Sequence, residues 1–394
     1  MSTAPHGNDG AGLPPPSHEA RAHGEKVFAY VAAAIGEAGG WISFADYMGA
    51  VLYAPGLGYY AAGARKFGAA GDFITAPEMT PLFGAALAVP AADIIGRLPH
   101  AELIELGPGT GRLAADLLNA LEECKRPPQR YRLLEVSADL AARQRDCLGK
   151  WAPGSLPRVD WIEVLPARWR GLVIANEVLD AVPPHLIARQ RGTWFERGVQ
   201  VAGGRLALAD RALPPGALRD AAMAAFPADG DYVSEINPAA QALVLSLAER
   251  CDAGMLLIID YGFSAGEYYH PQRASGTLVA HYRHRAVHDP LFLPGLSDLS
   301  AHVDFSAIAR AGVAGGMTVC GYATQARFLI NCGILDALAA SGNPNTTAYL
   351  REAAAVQNLL SPAEMGELFK VLALVRGIDG EVVGFRDGDQ GHRL

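Results

Sequence analysis

Three glycines at alternate positions, Gly107, Gly109 and Gly111, sit in "IELGPGTGRL" between an apolar run and a helix-like one. A glycine loop at a strand-to-helix junction leaves the first N–H groups of the helix free to meet an anion or polar group. Glycine also lets a ligand approach the backbone closely. The spacing is not the G-x-G-x-x-G of dinucleotide sites. Glu105 stands two residues before the first glycine, where its carboxylate can face the cleft above the strand end. Glu135 ends the next apolar run, where an acid can accept hydrogen bonds from two ribose hydroxyls. An acid at the first strand's mouth is poorly placed beside a pyrophosphate. It suits a cofactor with a cationic amino-acid end and an unphosphorylated nucleoside end, and S-adenosylmethionine has that chemistry. A plain turn with surface acids is the alternative, which the glycine loop alone does not exclude.

Two further stretches carry polar groups. "GDFITAPEMTPLFG" (71–84) joins Asp72, Thr75, Pro77 and Glu78 to apolar residues. It reads as a capped helix entry or as a lid over the cofactor. "ANEVLDAVPPH" (175–185) places Asn176, Glu177 and Asp180 after an apolar strand, where loops of an open parallel sheet line the ligand crevice. Their alternative role is to bond a turn ended by Pro183 and Pro184. His281, His284 and His288 lie between Gly276 and Pro290, which favours groove or structural histidines over a metal site, so no metal is expected.

Positioning these groups requires a parallel sheet. "AELIEL", "RYRLLEVS", "VDWIEVL" and "GLVIAN" read as strands, with "RLAADLLNALEEC" and "ADLAARQRDCLG" as helices between the first three. "GMLLIIDYG", "MTVCGYA" and "LFKVLALVRG" supply later strands. The expected division is a disordered tail (1–19), an N-terminal helical lid region (20–97) and a cofactor-binding core (98–263) with an antiparallel insertion (186–230). A His-rich loop subdomain (264–316), completion of the core sheet (317–380) and a second tail (381–394) follow.

The bulk composition narrows the class. A chain of 394 residues, half of them hydrophobic, can bury one large or two smaller cores. A net charge of −8 weighs against nucleic acid, which would favour a basic face. Pro90 and Asp93 break the apolar run nearest in length to a membrane span, so no membrane insertion is expected. Five dispersed cysteines without a Cys-x-x-Cys pair, and an N-terminus unlike a leader, lead to the expectation of a reducing, cytoplasmic location.

Taken together, "GDFITAPE", "IELGPGTGRLAADLL", "RLLEVSADL", "NEVLDAVPPH", "LPGLSDLSAHVDF" and "LLSPAEMGELFKVLAL" resemble the MidA-like family, related to the mitochondrial complex I assembly arginine methyltransferase. The resemblance covers roughly residues 25 to 378. "GPGTGRL" departs from the family's common "GPGRGTL" but keeps its glycines. The resemblance implies an α/β fold: a class I methyltransferase-like, Rossmann-type seven-stranded sheet whose last strand is antiparallel, with an N-terminal helical lid and an inserted and C-terminal subdomain. It maps Gly107, Gly109, Gly111 and Glu135 onto cofactor contacts, and Asp72, Thr75 and Pro77 match the family's lid pattern. With Glu105, Pro108 and Val136, the glycines, Glu135, Thr75 and Pro77 make up the expected cofactor-binding set. The acceptor side, with catalytic roles, falls to Asn176, Glu177, Asp180 and Asp72. The activity implied is S-adenosylmethionine-dependent methylation of an arginine on a protein substrate, a respiratory complex I subunit or assembly intermediate. A small-molecule methyltransferase on the same core and a non-catalytic, cofactor-binding assembly chaperone are the rival readings.

Overall fold

Seven strands define the cofactor-side half of the protein in a computed structural model, which describes residues 13–61 and 75–394. They are β1 (Glu102–Leu106), β2 (Tyr131–Leu134), β3 (Val159–Ile162), β4 (Trp169–Asn176), β5 (Cys251–Phe263), β6 (Thr318–Thr324) and β7 (Phe369–Arg376). Their order is 3-2-1-4-5-7-6. Strands β1 to β5 pair in parallel, and β7 runs antiparallel to both neighbours, β5 and β6. Val303–Asp304 adds a two-residue parallel edge to the end of β5.

The pattern of residues explains this sheet. Leu103, Ile104 and Leu106 in β1, and Leu172, Val173, Ile174 and Ala175 in β4, are all buried. Strands covered on both faces read as unbroken apolar runs, as here. The helix Arg112–Glu123 buries Leu113, Ala114, Leu117, Leu118 and Leu121 along one stripe. Helix Pro81–Arg97 packs on it through Gly84, where an added Cβ would lie 2.6 Å from the Asp116 Cβ. Among the described residues no helix is long and apolar enough to cross a membrane.

The contacts divide the chain into two compact units, 1–73, 180–240 and 266–302 forming one and the rest forming the other. The first unit centres on the antiparallel strand Thr193–Ala202. It pairs with His185–Gln190, Arg205–Ala212 and Ile42–Ser43, while Tyr232–Ile236 joins the far side of His185–Gln190. Helices His18–Glu37 and Phe44–Tyr53 cover it, their Val27, Val31, Phe44, Met48 and Val51 packing with Leu186 and Val199. Ser17 and Ser43 cap the two helices.

Two sequence expectations resolve differently here. Residues 279–300, expected to be largely loop, contain a three-stranded antiparallel sheet (Val279–Tyr282, Arg285–Val287, Asp298–Ser300). The N-terminal helices group with 180–240, because Ile42 and Ser43 pair with Val199 and Gly198. Pairing over such sequence separation leaves no local signal.

Candidate functional site

The glycine loop leaves β1 in the conformation only glycine adopts readily. Gly107, Gly109 and Gly111 have φ of 57°, 54° and 82°. An added Cβ on Gly109 would meet nothing within 4 Å, whereas one on Gly111 would lie 3.2 Å from Gln144. The loop is open to a ligand at Gly109, whereas a Cβ on Gly107 would lie 3.3 Å from Val178 and Gly111 is closed by packing against the next helix.

Glu105 is 3% exposed at the end of β1 and accepts the Tyr131 hydroxyl at 2.7 Å. Burial pushes its carboxyl up to about 7, with the Tyr131 bond pulling the other way. At the end of β2, Glu135 is half-buried and accepts the Ser137 N–H at 2.7 Å and the Gln144 amide at 2.9 Å. Burial raises its pKa, opposed by these bonds. Val136, beside it, is 79% exposed, an apolar surface next to the acid. Thr75 begins the short helix Ala76–Met79 with Pro77 buried in it, and Glu78 accepts the hydroxyl of Thr110 in the glycine loop. Thr80 caps the next helix and donates to Glu352.

β4 ends at Asn176. Its amide donates to Glu177 at 3.2 Å, and its Oδ1 is buried without a hydrogen-bond partner among the described residues. Glu177 follows in the left-handed region at φ 54°, rare for a residue with a side chain, and its N–H bonds Ile259. In the other unit, Asp180 is buried, and its carbonyl accepts the Ala301 N–H at 3.0 Å. In that same unit Tyr53 and Tyr60 stack with centroids 5.7 Å apart, Tyr53 donating to the Ala181 carbonyl and Tyr60 to Asp298. Burial, Asp180 and Asp298 raise the Tyr53 pKa. Asp72 lies outside the described residues.

Three polar residues bonded to the loops and acids at the strand ends carry no sequence motif. Gln144, Asp260 and Tyr131 sit in apolar stripes, where one-dimensional reading assigns them to core. The only available signal is a polar side chain at a core position, as in Ala141, Gln144 and Leu148 of helix Ala138–Trp151.

A 3-2-1-4-5-7-6 sheet with β7 reversed, a left-handed glycine loop after β1 and an acid ending β2 defines a class I methyltransferase. Residues 86–323 match the S-adenosyl-L-methionine-dependent methyltransferase family Methyltransf_28. The Danio rerio mitochondrial protein arginine methyltransferase NDUFAF7 is 32% identical over 372 residues, spanning 85% of this chain and 84% of the relative. Its Drosophila melanogaster homolog is 32% identical over 378 residues, spanning 86% and 82%. A Burkholderia thailandensis protein crystallised with S-adenosyl-homocysteine is 48% identical, with a TM-score of 0.94 over 97% of this chain and 100% of that one. The chain belongs to this family of S-adenosylmethionine-dependent methyltransferases.

One expectation is overturned. The cytoplasmic location inferred from dispersed cysteines does not stand, because the curated relatives are named mitochondrial proteins. Thiols stay reduced in more than one compartment, so cysteine usage does not single out the cytoplasm.

The residues present fit the cofactor. The loop is open at Gly109, and Glu135 follows β2 beside an exposed apolar Val136.

Proposed function

We propose that the enzyme methylates an arginine of a protein substrate, a respiratory complex I subunit or assembly intermediate. The reading is carried by the protein arginine methyltransferase relatives, which this chain matches over more than four-fifths of its length. When bound, S-adenosylmethionine supplies a methyl group activated on sulfur. Glu105 would meet its ammonium, Gly107, Pro108, Gly109 and Gly111 its carboxylate end, and Glu135 and Val136 its ribose and base. Thr75 and Pro77 would bound the same site from the lid.

An arginine acceptor is a cation near neutral pH. Displacement at the methyl carbon needs an aligned nitrogen and nearby negative charge. Asn176 and Glu177 would orient the guanidinium at the end of β4. Asp180 is proposed as a further negative charge for the acceptor.

The test is incubation with methyl-labelled S-adenosylmethionine and lysate from cells lacking the enzyme, followed by mass mapping. Label on arginine of a complex I protein supports the proposal. Label on a metabolite favours a small-molecule methyltransferase, and no label at all favours a non-catalytic assembly role.

A further inference from the structure

Gln144 is fully buried at the middle of helix Ala138–Trp151, between Ala141 and Leu148 on its core face. Its amide nitrogen donates at 2.9 Å to the carbonyl of Gly109 and at 2.9 Å to Glu135 Oε2. Its amide oxygen accepts the Trp161 indole N–H at 2.9 Å. One side chain therefore ties the glycine loop after β1, the acid at the end of β2 and the aromatic residue of β3.

We infer that Gln144 is the positioning residue of the cofactor site, orienting the Glu135 carboxylate and the Gly107–Gly111 loop together. Three observations carry this. First, the amide is satisfied on both ends, donating twice and accepting once, so its rotamer and its oxygen–nitrogen assignment are fixed by its partners. Second, each Glu135 oxygen has a defined donor: Ser137 N–H holds Oε1 and Gln144 holds Oε2. A carboxylate held at both oxygens presents its remaining lone pairs in one direction, as recognition of a ribose diol requires. Third, a Cβ on Gly111 would lie 3.2 Å from Cα and Cβ of Gln144, so the loop's last turn is shaped around this residue. A leucine there would satisfy the helix's apolar stripe equally well. What the glutamine adds is the link between two cofactor-binding segments.

The inference concerns the cofactor only, so it stands apart from the identity of the methyl acceptor. It does rest on the assignment of Glu135 and the glycine loop to cofactor binding. Calorimetric titration of the full chain with S-adenosylhomocysteine tests both. Gln144→Met keeps the shape and removes the polar ends; it is expected to weaken binding about tenfold or more, the scale of lost hydrogen bonds to a charged partner. Gln144→Glu keeps the acceptor for Trp161 but turns a carboxylate oxygen toward Glu135 and Gly109, and is expected to bind more weakly still. With labelled S-adenosylmethionine, Gln144→Met is expected to raise the cofactor KM while leaving the rate at saturating cofactor unchanged. Combined with Glu135→Ala, Gln144→Met is expected to cost far less than it does alone, since its main partner is gone.

Binding by Gln144→Met within twofold of the parent protein would overturn the inference. So would a full additional loss in the Glu135→Ala background, or a lower saturated rate with unchanged KM. If Gln144→Met does not fold, Gln144→Glu alone and with Glu135→Ala gives the same comparison. Should Glu135→Ala itself bind normally, the assignment of Glu135 fails, separately from that of Gln144.

Discussion

Asp260 Oδ2 accepts the Leu179 N–H at 2.8 Å, and the same oxygen accepts the Val178 N–H at 3.2 Å. Asp260 is fully buried at the end of β5, and its Oδ1 accepts the Tyr261 N–H at 2.9 Å. The carboxylate thus closes the turn that begins with the left-handed Glu177. Removing it leaves backbone donors with no acceptor. Asp260→Ala is expected to destabilise the protein by about 2–4 kcal/mol, read as a lower denaturant midpoint, and to reduce methyl transfer by misplacing Glu177.

Glu177 adopts a conformation that glycine adopts without steric cost. Glu177→Gly is therefore expected to raise stability by about 1 kcal/mol while lowering methyl transfer and leaving S-adenosylhomocysteine affinity unchanged. A variant that is less stable than the parent would argue that the backbone there is relaxed by its surroundings.

The Glu105 carboxyl titrates near 7, against an ordinary value of 4.5. Between those values the folded protein holds a proton that the unfolded chain has lost. Its contribution to stability is therefore full below pH 4.5 and is lost as pH rises through 7. Cofactor binding should run the other way. The ammonium of S-adenosylhomocysteine favours the ionised acid, so affinity should fall as pH drops below 7, by up to about tenfold per unit. Titrations from pH 5.5 to 8.5 should show this slope, and Glu105→Gln should flatten it.

Thr110 bonds Glu78 from within the glycine loop. Thr110→Val should weaken S-adenosylhomocysteine binding about tenfold or more, on the scale of one hydrogen bond to a charged group, and Thr110→Ser should restore it. Glu78→Ala should give a similar loss that does not add to that of Thr110→Val.

On the acceptor side, Glu177→Gln and Asp180→Asn should each slow labelling about tenfold or more with cofactor affinity intact. Normal methylation by both variants would remove these residues from the mechanism.

The glycine loop and all seven sheet strands were legible in the sequence. Apolar runs of four to eight residues and a triple glycine are local signals. What could not be read was the polar wiring. Asp260 and Leu179, or Gln144 and Gly109, meet only after the sheet is assembled, and no spacing rule links them. Glu105 was expected to face the cleft. Its burial against Tyr131 depends on the register of β1 with β2, which sets Leu103 opposite Tyr131. The partition of the chain was equally hidden, since one unit collects three separate segments.

Strand β7, residues Phe369–Arg376, lies between β5 and β6 although it is the last of the seven in the chain. During synthesis, every residue up to Arg376 must leave the ribosome before that slot can be filled. Until then β5 and β6 each present an open edge of unpaired backbone, the kind that recruits other chains. A chain that stopped anywhere before Phe369 would therefore keep a split sheet prone to clumping, whatever remained of the cofactor loop.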